Sequence, residues 1–124
     1  VMVECGETIS RFEGVSFKVA DMAMRIEAAR LLALQAARML DKGLPATKEA
    51  TIAKLFASET AIDVTYQALQ VLGGIGYTKE YPMEMLARNA RLATIGGGTA
   101  EVCRFLIQRE VYKEFKDKQR KAQK

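Results

Sequence analysis

Histidine is absent from all 124 residues. That removes Ser–His and Cys–His nucleophilic catalysis and the usual zinc and haem ligands. Cysteine occurs only twice, at Cys5 and Cys103, far apart and in no metal-ligand spacing, so both read as inert free thiols in a chain kept reduced. No stretch approaches the ~20 consecutive apolar residues of a membrane span, and no signal-peptide apolar region opens the chain. These absences predict a soluble, intracellular protein whose chemistry rests on carboxylates, hydroxyls or a cofactor.

Charge is present but unevenly placed. The net charge is +4. Residues 113–124 carry Lys113, Lys116, Lys118, Arg120, Lys121 and Lys124 against Glu114 and Asp117, which accounts for all of it and leaves residues 1–112 neutral. A nucleic-acid domain spreads its basic residues along a face or stripe of the fold, so nucleic acid is not an expected partner. The basic end reads as a solvated, fraying helix end, with a polyanion-docking tail as the alternative.

The length suits one domain. From Val15 the residues Val15, Val19, Met22, Ile26, Ala29, Ala33 and Leu40 recur at three- and four-residue steps, and Phe17, Ala20, Met24, Ala28 and Leu31 mark a second apolar stripe. A helix apolar on two sides belongs inside a bundle, and Gly43 with Pro45 supplies its stop. Thr47 is placed to cap the next helix, with a core face of Ile52, Leu55, Phe56, Ile62, Tyr66 and Leu69, ended by Gly73 and Gly74. The short connection makes the two helices an antiparallel hairpin. Tyr81-Pro82 starts a shorter helix with Pro82 at its first position and Met83, Leu86 and Ala90 on its apolar side. Thr99 reads as the N-cap of a last helix carrying Val102, Phe105, Leu106 and Val111. Nothing alternates as a strand does. The expected fold class is therefore all-α, an antiparallel up-down bundle of two long helices, one short helix and one C-terminal helix.

Bare backbone is concentrated at Gly73-Gly74-Ile75-Gly76 and at Gly96-Gly97-Gly98-Thr99. Glycine lets N–H groups approach a ligand closely, and the second run feeds a helix N-terminus, where free donors and the helix dipole favour a phosphate. Neither run is a dinucleotide fingerprint or a P-loop, and each read alone is a turn. The acidic pairs Glu80/Glu84 and Glu110/Glu114 read as solvated surface. Met22, Met24, Met83, Met85 and Leu86 read as core filler.

In order along the chain, Phe17-Lys18-Val19-Ala20-Asp21-Met22-Ala23, Gln70-Val71-Leu72-Gly73-Gly74-Ile75-Gly76-Tyr77, Glu80-Tyr81-Pro82 with Arg88 and Ala90, and Gly98-Thr99 before an amphipathic helix resemble the C-terminal helical domain of the acyl-CoA dehydrogenases. The resemblance covers residues 9–115, leaving 1–8 as the remnant of a preceding segment and 116–124 as a basic tail. It implies a longer flavoenzyme that oxidises an acyl-CoA to its enoyl form, with FAD as hydride acceptor and an electron-transfer flavoprotein as next acceptor. It also implies a homo-oligomer, tetramer or dimer, in the cytoplasm, or in the mitochondrial matrix if eukaryotic.

In that family the stretch matching Gln70, Val71, Leu72, Gly73 and Gly74 contacts the FAD of a neighbouring subunit. Thr99 and Glu101 match residues that contact FAD of their own subunit, and Gly98 is implied at the substrate. Many members have glutamine where Glu101 stands, and a carboxylate there accepts from ribose hydroxyls but repels a pyrophosphate. Gly97 occupies the position where many members carry the catalytic glutamate, so no catalytic residue is expected here. In members that are small at this position the glutamate lies on the preceding helix, which this resemblance does not include; near its end the family has an arginine and Phe-Gly, where this chain has Met2, Cys5 and Gly6. On this reading the chain alone is inactive, with one face of the bundle exposed. The alternative of a different class is a non-catalytic helical subunit or interaction module that keeps the family's packing.

Overall fold

A helix with apolar or small residues on every side is stable only where neighbours cover each side. In the computed structural model, which describes residues 2–4 and 6–123, the second long helix has that environment. Two short strands, β1 (Val3–Glu4) and β2 (Glu7–Thr8), pair antiparallel with Val3 opposite Thr8. A 3-10 turn at Ile9–Arg11 leads into α1 (Glu13–Asp41), and then come α2 (Thr47–Leu72), α3 (Gly74–Tyr77), α4 (Met83–Ala93) and α5 (Ala100–Ala122). The helix α2 is the hub, packing against α1, α3, α4 and α5. The all-α expectation holds. The β1–β2 ladder was not expected, because two residues per strand are too few to show alternation.

The antiparallel α1–α2 hairpin forms as its turn chemistry predicts. Gly43 sits at φ 68° just past α1, its N–H donating to the Leu40 carbonyl while that of Leu44 donates to Met39. This pair of bonds is the Schellman closure, which needs a residue free to adopt positive φ. Lys18 on α1 donates to Gln67 on α2 at 2.7 Å, and Arg25 faces Asp63 at 3.5 Å. Thr47 is not the cap. Ala46, at φ −128° and ψ 20°, holds that position without a side-chain bond, and Thr47 is already helical, its carbonyl accepting from the Thr51 hydroxyl at 2.7 Å. Likewise Pro82 caps α4 rather than opening it.

The core consists of small side chains. Ala36, Ala46, Ala53, Ala87, Ala100 and Cys103 are buried, with Ser58, Thr60 and Thr94, and among the described residues no large side chain is fully buried. Small residues let helix backbones approach, but the larger apolar groups are left at the periphery. Met24, Met85 and Leu86, expected as filler, are exposed, and so are Phe56 and Tyr66 on the expected core face of α2. On α1 the Val15, Met22, Ala29 and Ala36 side faces α2, while the Phe17, Met24 and Leu31 stripe faces outward. A compact monomer of 13.7 kDa exposes about 6,600 Å² on the usual mass scaling, whereas this chain exposes 9158 Å². The basic end is an exposed helix end: α5 continues through Ala122, so Lys113 to Lys121 are helical. Cys5 and Lys124 lie outside the described residues; Cys103 is a buried free thiol.

Candidate functional site

The second glycine run is a tied turn between α4 and α5. Thr94 is buried and donates its hydroxyl to the Arg91 carbonyl at 2.9 Å, while its own carbonyl accepts from the Ala100 N–H at 3.0 Å, so the chain reverses across Ile95–Thr99. Gly97 and Gly98 take φ 65° and 105°, the region that L side chains avoid. Lys54 reaches over from α2 to donate to the Gly98 carbonyl. Thr99 then caps α5 as expected. Its hydroxyl accepts from the Val102 N–H at 3.3 Å, a bond worth about 1 kcal/mol to the helix.

Thr99 and Glu101 line an open cleft of about 290 Å³, with Arg91, Thr94 and Ile95 on one side and Glu59 and Arg104 on the other. Hydrogen bonds from its own backbone N–H and from the Thr99 hydroxyl hold the Glu101 carboxyl below the usual carboxylate value, with the positive charges of Arg104 and Arg91 adding to the effect and desolvation opposing it. The anion-favouring end of α5 already has a carboxylate of its own. Arg104 is paired with Glu59 on α2.

The first glycine run shapes a larger concavity. Gly73 ends α2 at φ 61° and ψ −145°, and α3 folds back so that Gly76 is buried against Leu72. Gln70, Gly73 and Gly74 form one wall of an open groove of about 830 Å³. Tyr66 and Tyr77 stand at its rim, and Ala87, Arg88 and Arg91 come from α4 opposite. Val71 and Leu72 do not line it and are half-buried. Arg88 faces Glu84 at 3.6 Å.

Five of the site residues singled out from the sequence fall into two concavities. Gln70, Gly73 and Gly74 meet in one, Thr99 and Glu101 in the other, and Gly97 and Gly98 line neither. Arg91, Arg104 and Lys54 were not singled out. Arg91 borders both concavities, and the signal for it was present: Glu84, Arg88 and Arg91 recur at helical spacing on one face of α4. Of the acidic pairs, Glu84 faces Arg88, Glu110 faces Arg109 at 3.3 Å and Glu114 is paired with Lys48, while Glu80 is exposed. Among the described residues there is no cluster able to hold a metal ion, and no helix is long and apolar enough to cross a membrane.

Residues 3–112 match the family model described as the acyl-CoA dehydrogenase C-terminal domain. A probable acyl-CoA dehydrogenase of Bacillus subtilis is 50% identical over 108 residues, which is 87% of this chain and 28% of the relative. Among solved structures, butyryl-CoA dehydrogenase from Megasphaera elsdenii superposes with a TM-score of 0.88 at 41% identity, over 90% of this chain and 29% of that one. The FAD complex of PigA superposes with a TM-score of 0.87 at 28% identity, over 90% of this chain and 29% of that one. The chain thus spans less than a third of the length of these relatives.

Proposed function

Because the chain belongs to the acyl-CoA dehydrogenase family, as its C-terminal helical domain, we propose that it serves as the flavin-contacting and oligomerising domain of an enzyme that dehydrogenates an acyl-CoA thioester at its α,β bond. FAD supplies the two-electron acceptor when bound. Gln70, Gly73 and Gly74 present an amide side chain and bare backbone to the cofactor of a neighbouring subunit. Thr99 and Glu101 present a hydroxyl and a carboxylate to that of their own. Gly97 has no side chain to take a proton, so the base that removes the α-proton comes from a glutamate outside these residues.

The observation that carries this reading is that Gln70, Gly73 and Gly74 of one implied set, and Thr99 and Glu101 of the other, lie on open concave surfaces rather than in the core. The groove beside Gln70 combines glycine backbone, aromatic rims and guanidinium groups, which suits a planar, phosphate-bearing ligand. The cleft at Thr99 offers hydroxyl and carboxylate acceptors suited to ribose or ribityl hydroxyls. The uncovered apolar faces support a homo-oligomer, and an electron-transfer flavoprotein is the implied acceptor of the electrons.

The test is reconstitution of the chain with the upstream part of the Bacillus subtilis relative, followed by addition of acyl-CoA thioesters of graded length. At least one thioester should bleach the flavin absorbance without oxygen. Retained flavin that no thioester bleaches would overturn the enzymatic reading and leave a flavin-contacting module.

A further inference from the structure

Three arginines border the two concavities, and they are not equivalent. Arg88 faces Glu84 at 3.6 Å, and Arg104 is paired with Glu59. Arg91 has no carboxylate within ion-pair distance among the described residues. Its side chain borders the Thr99–Glu101 cleft on one side and the Gln70–Gly74 groove on the other. Its backbone is fixed, because its carbonyl accepts from both the hydroxyl and the N–H of Thr94, at 2.9 and 3.2 Å. The residue is exposed, so its guanidinium keeps free donors.

We propose that Arg91 is a further cofactor-binding residue, whose guanidinium takes the phosphates of FAD lodged in the groove beside Gln70. The proposal rests on the reading above that this domain contacts FAD. Electrostatics chooses the side. In the Thr99 cleft the Glu101 carboxylate occupies the end of α5 and repels a phosphate, and Arg104 there is already paired. In the groove Glu84 is taken up by Arg88, so Arg91, which acts on Glu101 only as a charge beyond ion-pair distance, is the guanidinium left without a partner. A guanidinium fork donates two parallel hydrogen bonds to phosphate oxygens, and ammonium cannot reproduce that geometry. The glycine backbone at Gly73 and Gly74 leaves room for the approach, and Tyr66 or Tyr77 offers a face for the adenine ring.

The experiment titrates FAD, ADP and riboflavin into the chain, alone and reconstituted with the upstream part of the Bacillus subtilis relative, for the native sequence, Arg91→Gln and Arg91→Lys. Riboflavin lacks the phosphates, so it separates charge recognition from a general loss of shape. Arg91→Gln should weaken FAD and ADP by tenfold or more while changing riboflavin by less than twofold, and Arg91→Lys should recover only part of the loss. Unchanged FAD and ADP affinity in Arg91→Gln would overturn the proposal alone. So would equal weakening of all three ligands, which marks a structural role. A native chain that binds neither flavin nor ADP in either form would overturn the FAD reading itself, and this proposal with it.

Discussion

Purified on its own, the chain should self-associate at micromolar concentration and enhance the fluorescence of an apolar-surface dye. The excess of exposed surface over a compact monomer of its mass is roughly 2,600 Å² on the mass scaling, as much as a large subunit interface removes from water. It is also organised. Phe17, Met24 and Leu31, exposed by 62, 64 and 56%, repeat at seven-residue steps on the side of α1 turned away from α2. On α5 the exposed Phe105 and Tyr112 lie opposite the buried Ala100 and Cys103. An apolar stripe of this extent on a monomer marks an interaction surface. Replacing Phe17, Met24 and Leu31 together by Gln should move the sedimentation profile toward monomer and lower dye binding, since none of the three supports the α1–α2 contact. A native chain that sediments as a monomer without dye enhancement would contradict this account of the surface.

The largest single-residue effect is expected at Gly76. A Cβ there would meet Leu72 Cβ at 2.6 Å and the Leu69 carbonyl at 3.2 Å, so Gly76→Ala must push α3 off the end of α2. Overpacking of this kind costs about 1–3 kcal/mol, enough to outweigh the better helix propensity of alanine. Gly14→Ala is the matching control. It lies in α1, and its Cβ would meet nothing within 4 Å, so the same change there should stabilise by about 0.5–1 kcal/mol. Urea denaturation followed by circular dichroism measures both. Displacing α3 also moves Gly74 and Tyr77, which border the groove beside Gln70, so Gly76→Ala should weaken flavin binding as well. Equal stability of the two variants would contradict the close α2–α3 approach.

The helices were legible in the sequence because their determinants are local. Periodicity marked α1, α2 and α5, Gly43 with Pro45 marked the hairpin, and Thr99 was readable as a cap because a hydroxyl just before an apolar-periodic run favours that position. Thr47 met the same description and failed, since backbone conformation selects the cap, and the turn after Pro45 places Ala46 there. The four-residue helix α3 and the two-residue strands are too short for any period to show. Met24 and Leu86 were misread as interior because periodicity reports that a side chain is apolar, not which molecule covers it. In the site, the glycine runs and Thr99 stood out by chemistry. Arg91 did not, because its significance lies in two concavities that meet only when α4 packs on α2. The carboxylate of Glu101 is an obstacle to a phosphate that the residue type alone makes legible, and the structure places it at the anion-favouring end of α5.

That this domain completes a flavin site is tested most directly by retention of FAD on reconstitution. The chain is mixed with the upstream part of the Bacillus subtilis relative and excess FAD, then passed through a desalting column, and the flavin absorbance of the protein fraction is compared with that of each component alone. The expected result is one FAD retained per chain by the mixture and little by either part. A colourless mixture that nonetheless co-elutes as a complex would contradict the assignment of Gln70, Gly73, Gly74 and Thr99 to the cofactor.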